Sequence, residues 1–324
     1  MSLSHYPQGL CVPAHGGSNP FSTTWFVEAT GIRRSDGAEG KSPNAPLATI
    51  AKAIALGKAG DTIILSPGTH SVDVSVAALI PKADMQFVAA VPPMGGKPST
   101  IITADADDGA TLVNLDVDGT GWYGIEFLLV AGATTAVDLF DIAQTTAVNG
   151  LVFHNCWFNL NSVDHATAIM RALAIDDATN ATTGMVIVGC RFIGGDATTT
   201  EAMYIVIGVG GAPQALIEHC TFLLESADGT TEGIHFADAG ADAKSYGITI
   251  RENDFIGPSD TGDDAIGIVF TGAADEDEIL GCIRNNFFAN CGSSPITVNE
   301  ANTSLINNYY GDDATGGTLV DPGT

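Results

Sequence analysis

Positive charge is scarce in this chain. Twelve Lys and Arg stand against 38 Asp and Glu in 324 residues, a formal net charge of −26, and no Lys occurs between Lys97 and Lys244. Nucleic-acid binding leaves a basic stripe, and none is present. The same imbalance repels anionic membranes and favours solubility. Long apolar runs are also missing: nothing approaches the roughly 20 residues of a membrane span. The opening MSLSHYPQGLCVPAHGGSNP has neither the cationic nor the apolar region of a signal peptide, so folding in cytoplasm is expected. The six cysteines are then expected to be reduced thiols. They contain no CxxC pair, which argues against zinc. No G-x-x-x-x-G-K-[ST] phosphate loop occurs, and the run at 208–212 lacks a following helix. No cofactor and no metal are expected.

Hydrophobic residues are plentiful at 45%, charged residues are only 15%, and mean hydropathy is +0.21. Such a balance suits long buried stacks, or further burial in an oligomer. A repeat is visible. GIEF (124–127), LVFHNCWF (151–158), MVIVGCRF (185–192), ALIEHCTF (215–222), GITIRENDF (247–255), GCIRNNFF (281–288) and SLINNYY (304–310) align on a terminal aromatic. The anchors Phe127, Phe158, Phe192, Phe222, Phe255, Phe288 and Tyr310 are 31, 34, 30, 33, 33 and 22 residues apart. Two positions before the anchor stand Cys156, Cys190, Cys220, Asn253, Asn286 and Asn308. A coil-stacking fold puts equivalent positions about 4.8 Å apart, so this column reads as a buried ladder of thiols followed by amides. That removes the catalytic or metal reading of His154 and Cys156, because His154 and His219 stand at different offsets and do not stack. Read as one strand, 150–159 places Leu151, Phe153, Asn155 and Trp157 on one face and Val152, His154, Cys156 and Phe158 on the other.

Further β-rich runs lie between the anchors, such as AVDLFDI (136–142), AIMRALAI (168–175) and AIGIVF (265–270), punctuated by Gly, Asp, Asn and Thr. A period near 30 with two or three short strands predicts a parallel β-helix; leucine-rich repeats and propeller blades have other spacings. In NAPLATIAKAIALGKAGDTIILSPGT (44–69), Leu47, Ile50, Ala51 and Ile54 share one helical face. Pro46 suits the first turn and Gly60 the end. A solenoid has an apolar end to cover, and this helix is expected to cover it.

The stretch PLATIAKAIALGKAGDTIILSPGTH resembles the opening segment of pectate-lyase-like right-handed β-helix proteins. SHYPQG, TTWFVEATG, the cap, the coils and the short tail together resemble a group of tailed-phage, virion-associated β-helix proteins. The resemblance implies an all-β, single right-handed parallel β-helix with about seven or more coils. It also implies a non-enzymatic, homotrimeric decoration or cement protein on the capsid surface, in contact with the major capsid protein or other shell subunits. The expected organisation is an arm at 1–25, a capping segment at 26–75, coils at 76–310 and a tail at 311–324.

The alternatives are a tail-spike-like carbohydrate depolymerase and a glycan-binding adhesin. GDDAIG (262–267) places Asp263 and Asp264 where polygalacturonase-type hydrolases have G-D-D, but G-H-G and R-I-K are absent. Gly-Asp-Asp is also ordinary turn chemistry. Lyases of this fold pair an acidic calcium cluster with Arg or Lys. Arg171, Arg191, Arg251 and Arg284 lie in the coils without such a motif. DADDG (105–109) and LDVDGTG (115–121) resemble oxygen-rich calcium turns, but Asp105, Asp107, Asp108, Asp116 and Asp118 lack the EF-hand pattern and read as Asx-turns, with a surface calcium ion as the alternative. Trp25, Trp122 and Trp157 are the aromatic candidates for a sugar platform, with packing as the competing use. Cys11, Cys282 and Cys291 lie outside the ladder column.

Overall fold

The structure is a computed structural model. It describes residues 22–93, 96–104, 111–128, 137–143, 145–160, 170–175, 180–194, 201–208, 211–224, 230–237, 245–257, 265–271, 279–291, 296–297 and 303–311. Short β-strands alternate with corners, and every pairing between described strands is parallel. The strands stack into three long sheets. Sheet A has ten strands, from Thr24–Val27 to Thr303–Ile306. Sheet B has nine, from Gly68–Val72 to Tyr309–Gly311, and sheet C has seven, from Val113–Leu115 to Ile296–Thr297. The chain is a parallel β-solenoid.

The repeat sets the register. Phe127 pairs with Phe158, Phe158 with Phe192, Phe192 with Phe222, Phe222 with Phe255, Phe255 with Phe288, and Phe288 with Tyr310. From Phe158 to Phe288 the rings stack 4.5–4.8 Å apart, tilted by no more than 7°. Each ring covers its neighbour's face, adding about 0.5–1.5 kcal/mol to the area it removes from water. Trp122 lies over Phe87 at 3.9 Å in an adjoining column.

The segment 150–159 is two strands rather than one. Val152–His154 belongs to sheet A and Trp157–Asn159 to sheet B. Asn155 between them has φ +53°. That left-handed corner resets the alternation, so Phe153, Cys156 and Phe158 are all buried while Asn155 is exposed. Every coil turns here in the same way. Gly124, Asn155, Gly189, His219, Glu252, Asn285 and Asn307, each three before its anchor, have φ between +50° and +70°. A Cβ on Gly189 would sit 2.5 Å from Asn155 Oδ1, an exposed side-chain end that can swing aside, so the positive φ is what favours glycine there.

The residue after each corner turns inward and builds the ladder. Cys156, Cys190 and Cys220 Sγ approach the carbonyls of Trp122, Phe153 and Ile187 at 3.4–3.6 Å. Asn253 Nδ2 donates to the Ile217 carbonyl, and its Oδ1 accepts the Cys220 N–H. Asn286 and Asn308 repeat the carbonyl contact with Ile250 and Ile283. The thiol thus performs one of the amide's two tasks.

The helix is shorter than its spacing predicts, Ile50–Leu56. Thr49 caps it by accepting the Lys52 N–H, and Gly57 ends it. Pro46 and Leu47 precede it in extended chain, because Leu47 bridges Val27 of sheet A. With the start shifted, Ala51 faces solvent and Ile50, Ala53 and Ile54 join the core beside Trp25 and Ile63. Sheet A begins at Thr24, inside the stretch assigned to the arm, and two of its strands precede residue 76.

Candidate functional surface

With the interior filled by columns of side chains, chemistry is left to the outer faces. On sheet B the outward column runs Glu126, Trp157, Arg191, Thr221, Asp254, Phe287, Tyr309, one residue before each anchor. Glu126 is fully buried, and its Oε1 is held by Lys97 Nζ and Asn159 Nδ2, each at 3.0 Å. The Arg191 guanidinium lies 4.9 Å over the Trp157 ring, a cation–π contact. Phe287 and Tyr309 are neighbours in register, 38% and 48% exposed.

On sheet A the outward column four before the anchor includes Tyr123, His154, Val188, Glu218, Arg251, Arg284 and Ile306. Arg251 Nε donates to Glu218 Oε2 at 2.6 Å. Arg284, one coil on, has no side-chain partner among the described residues. Burial pushes the Tyr123 hydroxyl up to about 12, with Cys156 adding to the effect. Cys282 lies half-buried on this same face, in register with Thr249 and Ser304.

Sheet C has a different outer face. Arg171 binds Asp138 through two bonds of 2.6 and 2.8 Å. Glu232 and His235 pair across one bend of a single strand. Ala174, Val206 and Val269 on this face are buried although they lie outside the central core. These three positions are therefore closed to a partner, while Met203 and Ile266 on the same face are half-buried.

Three of the four coil arginines are engaged: Arg171 with Asp138, Arg191 with Trp157, Arg251 with Glu218. The three tryptophans do not form a platform. Trp25 is buried and donates to Asp61, Trp122 is in the core, and Trp157 is outward beneath Arg191. Asp116 and Asp118 accept from Thr145 and Asn149 as turn carboxylates. Asp263 and Asp264, Asp105, Asp107 and Asp108, and Cys11 lie outside the described residues. Among the described residues no group of three His, Cys, Asp or Glu is placed to hold a metal ion, and no helix is long and apolar enough to cross a membrane. The ladder thiols are free, and burial next to Cys156 and Cys220 pushes the Cys190 thiol well above 9.0. It is no nucleophile at neutral pH.

Glu126, Asp138 and the Glu232–His235 pair were not singled out from sequence. Part of the signal was there: Glu218 and Arg251 share the offset of four before the anchor, and Trp157 and Arg191 the offset of one.

No family model matches this sequence, and no curated protein matches it. Ten solved chains match by structure. A pectin methylesterase from Aspergillus niger aligns with TM-score 0.50 and 13% identity, over 95% of this chain and 94% of that one. A rhamnogalacturonan lyase aligns with TM-score 0.44 and 14% identity, over 92% and 89%. ORF18 of Geobacillus virus E2 aligns with TM-score 0.33 and 13% identity; the match covers 78% of this chain and about half, 54%, of that one. At such identities the methylesterase match shows the fold alone, a pectate-lyase-like parallel β-helix.

Proposed function

We propose that this chain is a non-enzymatic structural protein of a tailed-phage particle. In this reading it is a homotrimer seated on the capsid surface, touching the major capsid protein or other shell subunits. The observation that carries the reading is the surface of sheets A and B. It runs the length of the stack, presents apolar and aromatic side chains, and engages most of its charges internally. Such a face is suited to burial against protein. The sequence resemblance to virion-associated β-helix proteins supports the same reading.

The function is then surface burial. Contacts that exist only on the intact shell must be undone before it opens, which stabilises it by linkage. The solenoid, in about seven or more right-handed coils, serves as a rigid spacer, and the helix Ile50–Leu56 covers its apolar first end. The chain is made in the host cytoplasm, and neither nucleic acid nor membrane is a partner.

The test is to mix purified protein with assembled empty capsids and with a tail fraction, and to image both by electron microscopy. Trimeric density on the capsid lattice is the expected result. Density on tails alone, or on neither, overturns it. The exposed Phe287–Tyr309 pair favours one second reading, a glycan-binding adhesin. A glycan array separates the two: binding there without capsid decoration selects the second.

A further inference from the structure

The outer faces of sheets A and B are the two halves of one interface, and we infer that the partner of face A is face B of a second copy. The inference rests on the homotrimer in the proposed function and says which surfaces close it.

Charge comes first. Each copy carries −26, so side-by-side copies repel unless they meet where carboxylates are few. The outward columns of sheets A and B and the corner between them present Glu218, Glu252 and Asp254 against Arg191, Arg251 and Arg284, while Glu126 is buried and paired with Lys97. That is three of the chain's 38 acids beside three of its 12 basic residues, a balanced surface on an acidic molecule. The described outer face of sheet C has Asp138, Asp141 and Glu232 against Arg171, and its apolar Ala174, Val206 and Val269 are already buried. It is the wrong face on both counts.

Geometry comes second. From Gly121 onward sheets A and B are joined by only two residues in each coil, such as Asn155 and Cys156, so the faces diverge from one sharp edge. A copy can show face A to one neighbour and face B to the other, the head-to-tail arrangement that closes into a ring. Rotation about an axis parallel to the stack keeps every residue at its own height. Face A then meets face B of the same coil.

At matched height the two columns complement each other. Arg251 faces the partner's Asp254 in one coil, and Leu216 faces the partner's Leu223 in the coil before. In the next coil Arg284 faces the partner's Phe287, a cation over a ring. Asp254 is exposed and, like Arg284, has no side-chain partner among the described residues. The two unpartnered charges and the exposed Phe287 acquire partners in one arrangement.

The test uses the full chain in light scattering and sedimentation over a concentration series. The wild type is expected to be a trimer at micromolar concentration. Asp254→Arg is expected to raise the concentration for half-dissociation by at least about tenfold, as a like-charge contact with Arg251 requires. Arg251→Asp is expected to do the same, and the double swap to restore the trimer. Circular dichroism and the thermal midpoint show whether each variant is folded. The Asp254 side chain has no hydrogen bond or ion pair among the described residues to lose, so Asp254→Arg stays informative if Arg251→Asp misfolds. A wild-type trimer indifferent to Asp254→Arg overturns the face assignment and leaves the homotrimer standing. A wild-type monomer overturns the homotrimer, and a dimer overturns the ring.

Discussion

Asn253 and Asn286 are joined by two hydrogen bonds to one oxygen. The Nδ2 and the backbone N–H of Asn253 both donate to Asn286 Oδ1, at 2.9 and 3.0 Å. Both residues are fully buried. Asn286→Ala therefore strands two donors of Asn253 and removes one bond to the Ile250 carbonyl. At roughly 1–3 kcal/mol for a stranded buried group, with relaxation softening the sum, the expected loss is about 2–5 kcal/mol. Asn286→Cys keeps a donor near Ile250 but supplies no good acceptor, and is expected to cost less than Ala. Urea denaturation midpoints check the order; equal stability of wild type and Asn286→Ala removes the ladder from the account.

His219 occupies the corner that five of the other coils give to Gly or Asn and one to Glu252, with φ +55°. Its contact with Glu252 at 3.3 Å joins two exposed side chains and contributes little. His219→Asn is expected to hold or gain a few tenths of a kcal/mol, as Asn tolerates this conformation. His219→Val is expected to lose about 1–2 kcal/mol, since β-branching is least compatible with it. The difference between the two thermal midpoints is the measurement, and Val at or above Asn contradicts the corner's role.

His70 stands in line with Ile102 and Phe127 inside the first coils, its Nε2–H donating to the Ser66 carbonyl at 2.9 Å. Burial holds its pKa below the usual 6.5; the Ser66 bond opposes this and Arg34 adds to it. The folded state resists a proton that the unfolded chain takes up near 6.5. This contribution is thus intact above pH 6.5 and is lost as pH falls from there towards the folded pKa. Asp61 acts lower on the scale. Burial raises its pKa, but hydrogen bonds from Trp25, Thr23 and Lys58 outweigh that and hold it below 3.8. Its contribution persists above 3.8 and disappears in stronger acid. A thermal midpoint that falls between pH 6.5 and 5 in the wild type, and falls less in His70→Phe, is the expected result. Identical profiles would take His70 out of the acid response.

The ladder and the aromatic stack were legible because a solenoid writes the same demand once per coil. Cys156 to Asn308 and Phe127 to Tyr310 recur at a fixed offset, and the structure puts them in register. Strand alternation failed at Asn155, where a two-residue corner keeps Phe153, Cys156 and Phe158 all inside. The helix starts later than the spacing predicts because Leu47 answers to Val27 across the sheet rather than to Ile50 along a helix. Pairs such as Asp138–Arg171 and Glu232–His235 depend on the fine register of sheet C, which has no anchoring aromatic repeat to align it. Asp263 and Asp264 stay where the sequence left them.

The two-residue corner also governs how such a molecule can change size. From the residue three before each anchor to the residue one after it, no coil has an insertion, while the anchor separations range from 22 to 34. Length variation is thus confined to the remainder of each coil. Excising one whole period, Phe192 to Phe222 for instance, brings a cysteine corner onto a cysteine corner and a phenylalanine onto a phenylalanine. The protein's height is therefore quantised: a lineage can lengthen or shorten it by about 4.8 Å at a time, one duplicated or deleted coil per step.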